Sequence, residues 1–425
     1  MNHEDAKPTA RPYGRRRVAV PAVLTALGCL TVAACSSGSS SAETPRPASA
    51  SSSSASASAA CPQPSFAGRN GGAPPSGPAA GGTPSAPPGA ASPPAGTSPG
   101  PIRELSIAKT IKPSDNSTST VYTPAGPEIT CGKTPVRLQS DITYATPTTT
   151  DGRQIPLKLD IQTPGSAGSK PLVVYITGGG FNFAQKSANL NQRTWVAEQG
   201  YVVASIEYRT VSNGNATYKD AVADVKSAVR FLRAHASEYG IDPANVAVWG
   251  QSAGGYLAAM AGATNGDKQY EQGDNLDQSS EVQGVVDQFG PSDLSKLAAD
   301  FDVDMQNDTY TPGNGFAQWV YGPGTERSVK DETPEVRAAN PASHVSSRSA
   351  PFIELHGSQD HFVSPSQTLI VHEALRAEGV ESARYVLEGA DHGDLSFTGD
   401  TEASKPWNTQ QTMGYILEFL NRHLT

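Results

Sequence analysis

The chain is expected to form an α/β fold: one mostly parallel central sheet with helices on both faces and a cap insertion. Three observations carry this expectation. Short apolar runs that read as strands covered on both faces alternate with helix-length amphipathic segments. One run continues as Val246-Ala247-Val248-Trp249-Gly250-Gln251-Ser252-Ala253-Gly254-Gly255, a strand turning sharply into an alanine-rich helix. The folded part, residues 136–425, has a length that suits one such domain carrying an insertion.

The N-terminal part lies outside that pattern. Residues 1–34 read as a signal peptide: basic Arg15-Arg16-Arg17, an apolar run over 18–34 that is short for a membrane span, then Val32-Ala33-Ala34-Cys35. Small residues directly before a cysteine resemble a bacterial lipobox. In that reading Cys35 carries lipid as the first mature residue and anchors the protein to the outer face of the cell membrane. An uncleaved anchor and an ordinary secretory signal are the alternatives, and the paired arginines hint at a twin-arginine route. Residues 35–100 are nearly all Ser, Ala, Pro and Gly. With so few large apolar side chains to offset chain entropy, they read as a disordered tether. Of the four cysteines, Cys29 falls in the signal and Cys35 is assigned to lipid, which leaves Cys61 and Cys131. An even pair in an exported chain favours a disulfide closing the tether onto the domain edge; a free Cys61 is the alternative. A net charge of −9, with no basic stripe, argues against nucleic acid as a partner.

Residues 101–135 read as a partly ordered lead-in. Next, residues 142–145 and 155–161 alternate apolar and polar around Asp151-Gly152, the pattern of an antiparallel hairpin. Residues 172–176 and 201–208 are buried strands separated by a helix-length segment containing Trp195 and Val196. In residues 218–235, Val222, Val225, Val229 and Leu232 recur at three- and four-residue steps, so this is the clearest helix, closed by Gly240. Strands follow at 246–250, 282–289, 352–356 and 384–387, with helices at 368–377 and 413–424. Residues 290–348 break the alternation and form the insertion, with Trp319 and Tyr321 as candidates either for a substrate cleft or for core packing. Its acidic run Asp300 to Asp308 spaces carboxylates like a calcium loop but has Met305 where that loop needs Gly and Thr311 where it needs Glu. It is read as a solvated cap loop, and no metal is expected.

Chemistry centres on Ser252. A serine on so tight a turn crowds the residues two positions away, which explains Gly250 and Gly254. Its hydroxyl needs a base, and the base needs an acid that fixes its tautomer. Asp360 lies just past one strand in His356-Gly357-Ser358-Gln359-Asp360, and His392 past the next in Gly389-Ala390-Asp391-His392-Gly393. Asp293 is the rival acid. His3, His235, His344, His372 and His423 sit in the leader, on helices or in the insertion, while His356 and His361 flank the acid and shape its loop. Asp391 and Asp394 read as solvated loop charges. Consecutive glycines in Thr177-Gly178-Gly179-Gly180-Phe181 let backbone N–H groups approach a reacting carbonyl.

These four segments together resemble the α/β-hydrolase superfamily, most closely its carboxylesterase branch of hormone-sensitive-lipase-like and feruloyl-esterase-like enzymes. The resemblance implies oxyanion donors from Gly179, Gly180 and Ala253 and a requirement for no cofactor. Many relatives have His where this chain has Thr177, which implies a changed loop support. The expected activity is hydrolysis of small-molecule or oligosaccharide carboxylic esters through an acyl-enzyme, with the membrane met only through the lipid anchor. A serine peptidase of the same fold and a non-catalytic surface binding protein are the alternatives; no repeating strand pattern precedes the domain, which counts against the peptidase.

Overall fold

A computed structural model describes residues 59–61, 107–393, 400 and 402–425. The signal segment, Cys35, Asp394 and most of the Ser/Ala/Pro/Gly tract lie outside the described residues. In chain order the strands are β1 (Ala59–Ala60), β2 (Thr120–Tyr122), β3 (Thr130–Cys131), β4 (Val136–Ala145), β5 (Leu157–Pro164), β6 (Lys170–Ile176), β7 (Val202–Ile206), β8 (Ile241–Gln251), β9 (Gly284–Gln288), β10 (Phe352–Gly357) and β11 (Ser382–Leu387). The helices are α1 (Leu190–Glu198), α2 (Val211–Gly214), α3 (Tyr218–Ala234), α4 (Ala236–Tyr239), α5 (Ala253–Ala263), α6 (Val303–Thr309), α7 (Gly315–Tyr321), α8 (Pro334–Ala338), α9 (Ser366–Ala377) and α10 (Gln410–Leu424).

Among the described residues nine strands form one sheet in the order β2-β11-β10-β9-β8-β6-β7-β5-β4. From β2 to β7 every pairing is parallel; β5 and β4 run antiparallel at one side. The expected mostly parallel sheet is therefore present. Alternate residues of its strands divide the core in two, as the two-residue period of a strand requires. Leu172, Val174 and Ile176 of β6 join a cluster with Val222, Val225, Val229 and Leu232 of α3 and with α5. Val173 and Tyr175 join the other cluster, with Trp195 and Val196 of α1 and Met413, Ile416 and Phe419 of α10. Each such fully buried apolar side chain contributes about 1.5–3 kcal/mol. The period-3.6 stripe of α3 faces the sheet, and the segment breaks at His235 before α4 and Gly240, whose φ of +67° ends it. No helix among the described residues is long and apolar enough to cross a membrane.

The lead-in belongs to this sheet. β2 pairs with β11 and makes the sheet edge, Ile111 bridges Phe301, and Lys112 N donates to Asp300 O at 2.7 Å. A three-residue strand with only Tyr122 buried is too short to show a period, so its sequence carries no strand signal. Three described residues of the Ser/Ala/Pro/Gly tract also have a structured role. Ala59 and Ala60 pair antiparallel with β3, and Cys61 forms a disulfide with Cys131, whose Sγ packs on Asn191 O.

Within the insertion, Asp302 caps α6 by accepting from Met305 N and also accepts from Lys109 N at 2.6 Å and Thr110 N at 3.2 Å. Its carboxylate therefore fastens the lead-in to the insertion. Trp319 is fully buried and stacks on Phe181 with ring centroids 4.4 Å apart. It packs as core, directly behind the glycine loop.

Candidate active site

Ser252 sits between β8 and α5 with φ +54° and ψ −123°, a conformation a non-glycine residue holds only when its surroundings force it. The surroundings do force it. A Cβ at Gly250 would overlap the Gly254 carbonyl, and a Cβ at Gly254 would overlap the Ile176 carbonyl. Ser252 N donates to Gln288 O at 2.9 Å, fixing the apex to β9. Gln251 ties the turn sideways, donating to Gln192 Oε1 and Gln288 Oε1 at 2.9 Å each and accepting from Asn189 Nδ2 at 2.8 Å.

The carboxyl ends of β10 and β11 bring the other two side chains to this point. His392 Nε2 lies 2.9 Å from Ser252 Oγ, and His392 Nδ1 lies 2.7 Å from Asp360 Oδ2. Asp360 is fully buried; its Oδ1 accepts from Phe362 N at 2.9 Å and Val363 N at 2.8 Å. Burial alone would raise its pKa, but the His392 charge and hydrogen bonds from His356 and His392 hold it well below the usual carboxylate range. The carboxylate is thus ionised beside the imidazole, which takes the tautomer with hydrogen on Nδ1 and leaves Nε2 free to accept from the serine. Phe289, 4.6 Å away between centroids, packs on the imidazole and is itself backed by Trp407.

Facing Ser252 is the glycine loop after β6. A Cβ on Gly178 would lie 3.2 Å from Ser252 Cβ and 3.0 Å from Gln251 O, so the loop touches the turn. Gly179 has φ +137° and Gly180 φ +57°. Gly179 O accepts from Asn182 N at 3.0 Å and Phe183 N at 3.1 Å, folding the loop back on itself. The N–H groups of Gly179, Gly180 and Ala253 donate to no acceptor among the described residues. Behind the loop Thr177 is buried, and its carbonyl accepts from Tyr208 Oη at 3.0 Å. Tyr208, on the turn after β7, supplies the support that the sequence left open at position 177.

The model of the family described as BD-FAE matches residues 159–375, more than half of the chain. The chain belongs to the BD-FAE family. Among curated relatives, the probable isoprenylcysteine alpha-carbonyl methylesterase ICMEL1 of Arabidopsis thaliana is 30% identical over 241 residues, 56% of this chain and 48% of that protein. Esterase LipC of Mycobacterium tuberculosis is 32% identical over 242 residues, 54% of this chain and 56% of its own. The chain spans about half the length of the curated relatives it matches. Among solved structures, a truncated carbohydrate esterase from gut microbiota aligns with a TM-score of 0.55 at 21% identity, covering 68% of this chain and 96% of that one. Propionate-bound esterase 2 of Thermogutta terrifontis aligns with a TM-score of 0.50 at 26% identity, over 68% of this chain and 94% of that one. The fold of this BD-FAE member is accordingly the α/β-hydrolase fold.

In this BD-FAE chain the rival acid is occupied elsewhere. Asp293 Oδ1 accepts from Ser295 N at 3.1 Å and Asn340 Nδ2 at 2.9 Å, and Oδ2 pairs with Lys296 at 2.8 Å. His235, His344 and His372 bond Phe231 O, Ala338 O and Ser382 Oγ. Asp391 corrects the sequence reading, because it is a brace between loops. Its Oδ1 accepts from His392 N at 2.7 Å and His361 N at 3.0 Å, and its Oδ2 pairs with His361 Nδ1 at 2.8 Å. Only its bond to His392 N had a local signal, a carboxylate directly before the histidine in a glycine-bounded turn; the His361 contacts come from a loop far away in the chain and left none. Gln251 and Tyr208 gave no such signal, since their partners lie on other elements.

Proposed function

We propose that this chain is a serine carboxylesterase that works through an acyl-enzyme. The observation that carries the reading is the unbroken hydrogen-bonded line from Ser252 Oγ through His392 to buried Asp360, with the serine raised on a strained turn. Ser252 Oγ attacks the ester carbonyl carbon while its proton passes to His392 Nε2. The oxyanion that forms is stabilised by the N–H groups of Gly179, Gly180 and Ala253. The imidazolium then protonates the leaving alkoxide as the carbon–oxygen bond breaks. Water, deprotonated by His392, attacks the acyl-Ser252 carbonyl, and the acid departs as Oγ regains its proton.

The printed names of the relatives, an alpha-carbonyl methylesterase, esterase LipC and a carbohydrate esterase, support small-molecule or oligosaccharide ester substrates. Lipidation of Cys35 and anchoring on the outer face of the cell membrane complete the proposal. A fluorophosphonate probe should label the protein but not Ser252→Ala, and that substitution should lower kcat by about four to six orders of magnitude. Labelling that survives Ser252→Ala removes Ser252 as nucleophile. Short-acyl nitrophenyl esters should turn over and aminoacyl amides should not. Mass spectrometry of the mature N-terminus should find a lipid-bearing Cys35; a free terminus elsewhere rejects the anchor.

A further inference from the structure

Behind Asp360 lies a second line of buried polar groups that the acyl-transfer steps do not use. His356, fully buried on β10, has Nε2 3.2 Å from Asp360 Oδ2 and 3.1 Å from Val363 O. Its Nδ1 is 3.0 Å from Thr368 Oγ1 on α9. Thr368 Oγ1 accepts from Arg384 Nε at 3.0 Å, so its own hydrogen is free to point at His356 Nδ1. That fixes the ring with hydrogen on Nε2, the atom that faces two acceptors. Arg384 is itself immobilised, donating to Pro365 O at 2.7 Å, Asn116 Oδ1 at 2.9 Å and Ser119 Oγ at 2.8 Å. The direction of every donor is therefore set, from Arg384 through Thr368 and His356 to the same carboxylate oxygen that His392 uses.

We propose that His356 is a positioning residue: oriented by Thr368 and Arg384, its Nε2–H holds Asp360 Oδ2 in line with His392 Nδ1. Among the described residues no other group donates to that oxygen from the β10 side; the backbone N–H groups of Phe362 and Val363 both serve Oδ1. Without His356, Oδ2 keeps one donor, the carboxylate turns about its Oδ1 contacts, and the imidazole loses its alignment to Ser252. The same loss leaves more of the Asp360 negative charge uncompensated and facing His392 Nδ1, which alters the pH dependence of the reaction.

The inference rests on the proposed role of Ser252, and the test separates the two. His356→Leu should lower kcat and the rate of fluorophosphonate labelling by about 10- to 100-fold at nearly unchanged KM. It should raise the acid-limb pKa of kcat/KM and move the downfield proton resonance of His392 Nδ1–H. His356→Gln, whose amide nitrogen reaches the position of Nε2, should recover most of the rate. Thr368→Val, which removes the orienting hydroxyl and keeps the shape, should lower kcat less, and its effect should not add to that of His356→Leu. If His356→Leu lowers only the melting temperature, with labelling rate, pH profile and resonance unchanged, the positioning role is overturned while the Ser252 role stands. If His356→Leu does not fold, the Gln and Val variants decide: wild-type pH profiles and resonances in both reject the proposal. Labelling that persists in Ser252→Ala fails the underlying reading instead.

Discussion

Ser252 can hold its left-handed backbone only because neither Gly250 nor Gly254 has a side chain, and this makes the turn a point of high sensitivity. Gly254→Ala sets a methyl carbon against the Ile176 carbonyl, where no flexible side chain can give way. The expected outcome is a loss of about 3 kcal/mol or more in stability, read by denaturant unfolding, with fluorophosphonate labelling falling in parallel. Asp391 is sensitive for a different reason. Asp391→Ala removes acceptors from the His361 and His392 N–H groups and frees the His361 ring. We expect about 1–3 kcal/mol of destabilisation and a lower kcat with KM little changed, because the loop carrying His392 loses its tie to the loop carrying Asp360. A kcat equal to wild type would leave Asp391 with a purely structural role.

Elements set these residues by where they end. β8, β9, β10 and β11 run parallel side by side in one sheet, so the chain leaves β8, β10 and β11 at the same edge and Ser252, Asp360 and His392 emerge together. The glycine loop after β6 emerges there too, stacked from behind by Trp319 of α7 through Phe181. At the other end of the chain, β1 and β3 are two-residue strands that stay paired through the Cys61–Cys131 disulfide beside α1. Cys61→Ser should lower stability by about 2–4 kcal/mol, since a cross-link over 70 residues removes much unfolded-chain entropy. The rate per folded molecule should be unaffected, as neither cysteine touches the relay. Thermal unfolding with and without reductant checks the first point, and active-site titration the second.

Over the whole molecule, the buried polar groups inside the sheet tie stability to pH. Burial, with the Glu354 carboxylate on the facing strand, pushes the Asp287 carboxyl up to about 8 from its ordinary 3.8. The folded protein thus keeps a proton there that the unfolded chain releases, so this contribution is complete below pH 3.8 and is lost as pH rises to about 8. Asp287→Asn, which copies the protonated acid, should flatten the fall of melting temperature across that window; an unchanged slope assigns the pH dependence to other groups.

The sequence by itself determined the alternation of strands and helices, the turn at Ser252, and the acid and histidine loops, because each is written in local periodicity or in glycine spacing. It also singled out Cys61 and Cys131, though not whether they pair. Only the tertiary structure decided that Asp360 and not Asp293 faces His392, that Trp319 is core, that Asp391 braces two loops, and that residues as early as Thr120 close the sheet. Each of these depends on contacts between segments far apart in the chain. A side chain's hydrogen-bond partner across such a distance leaves no mark in the residues beside it, and it becomes fixed only when the sheet brings both segments to one edge.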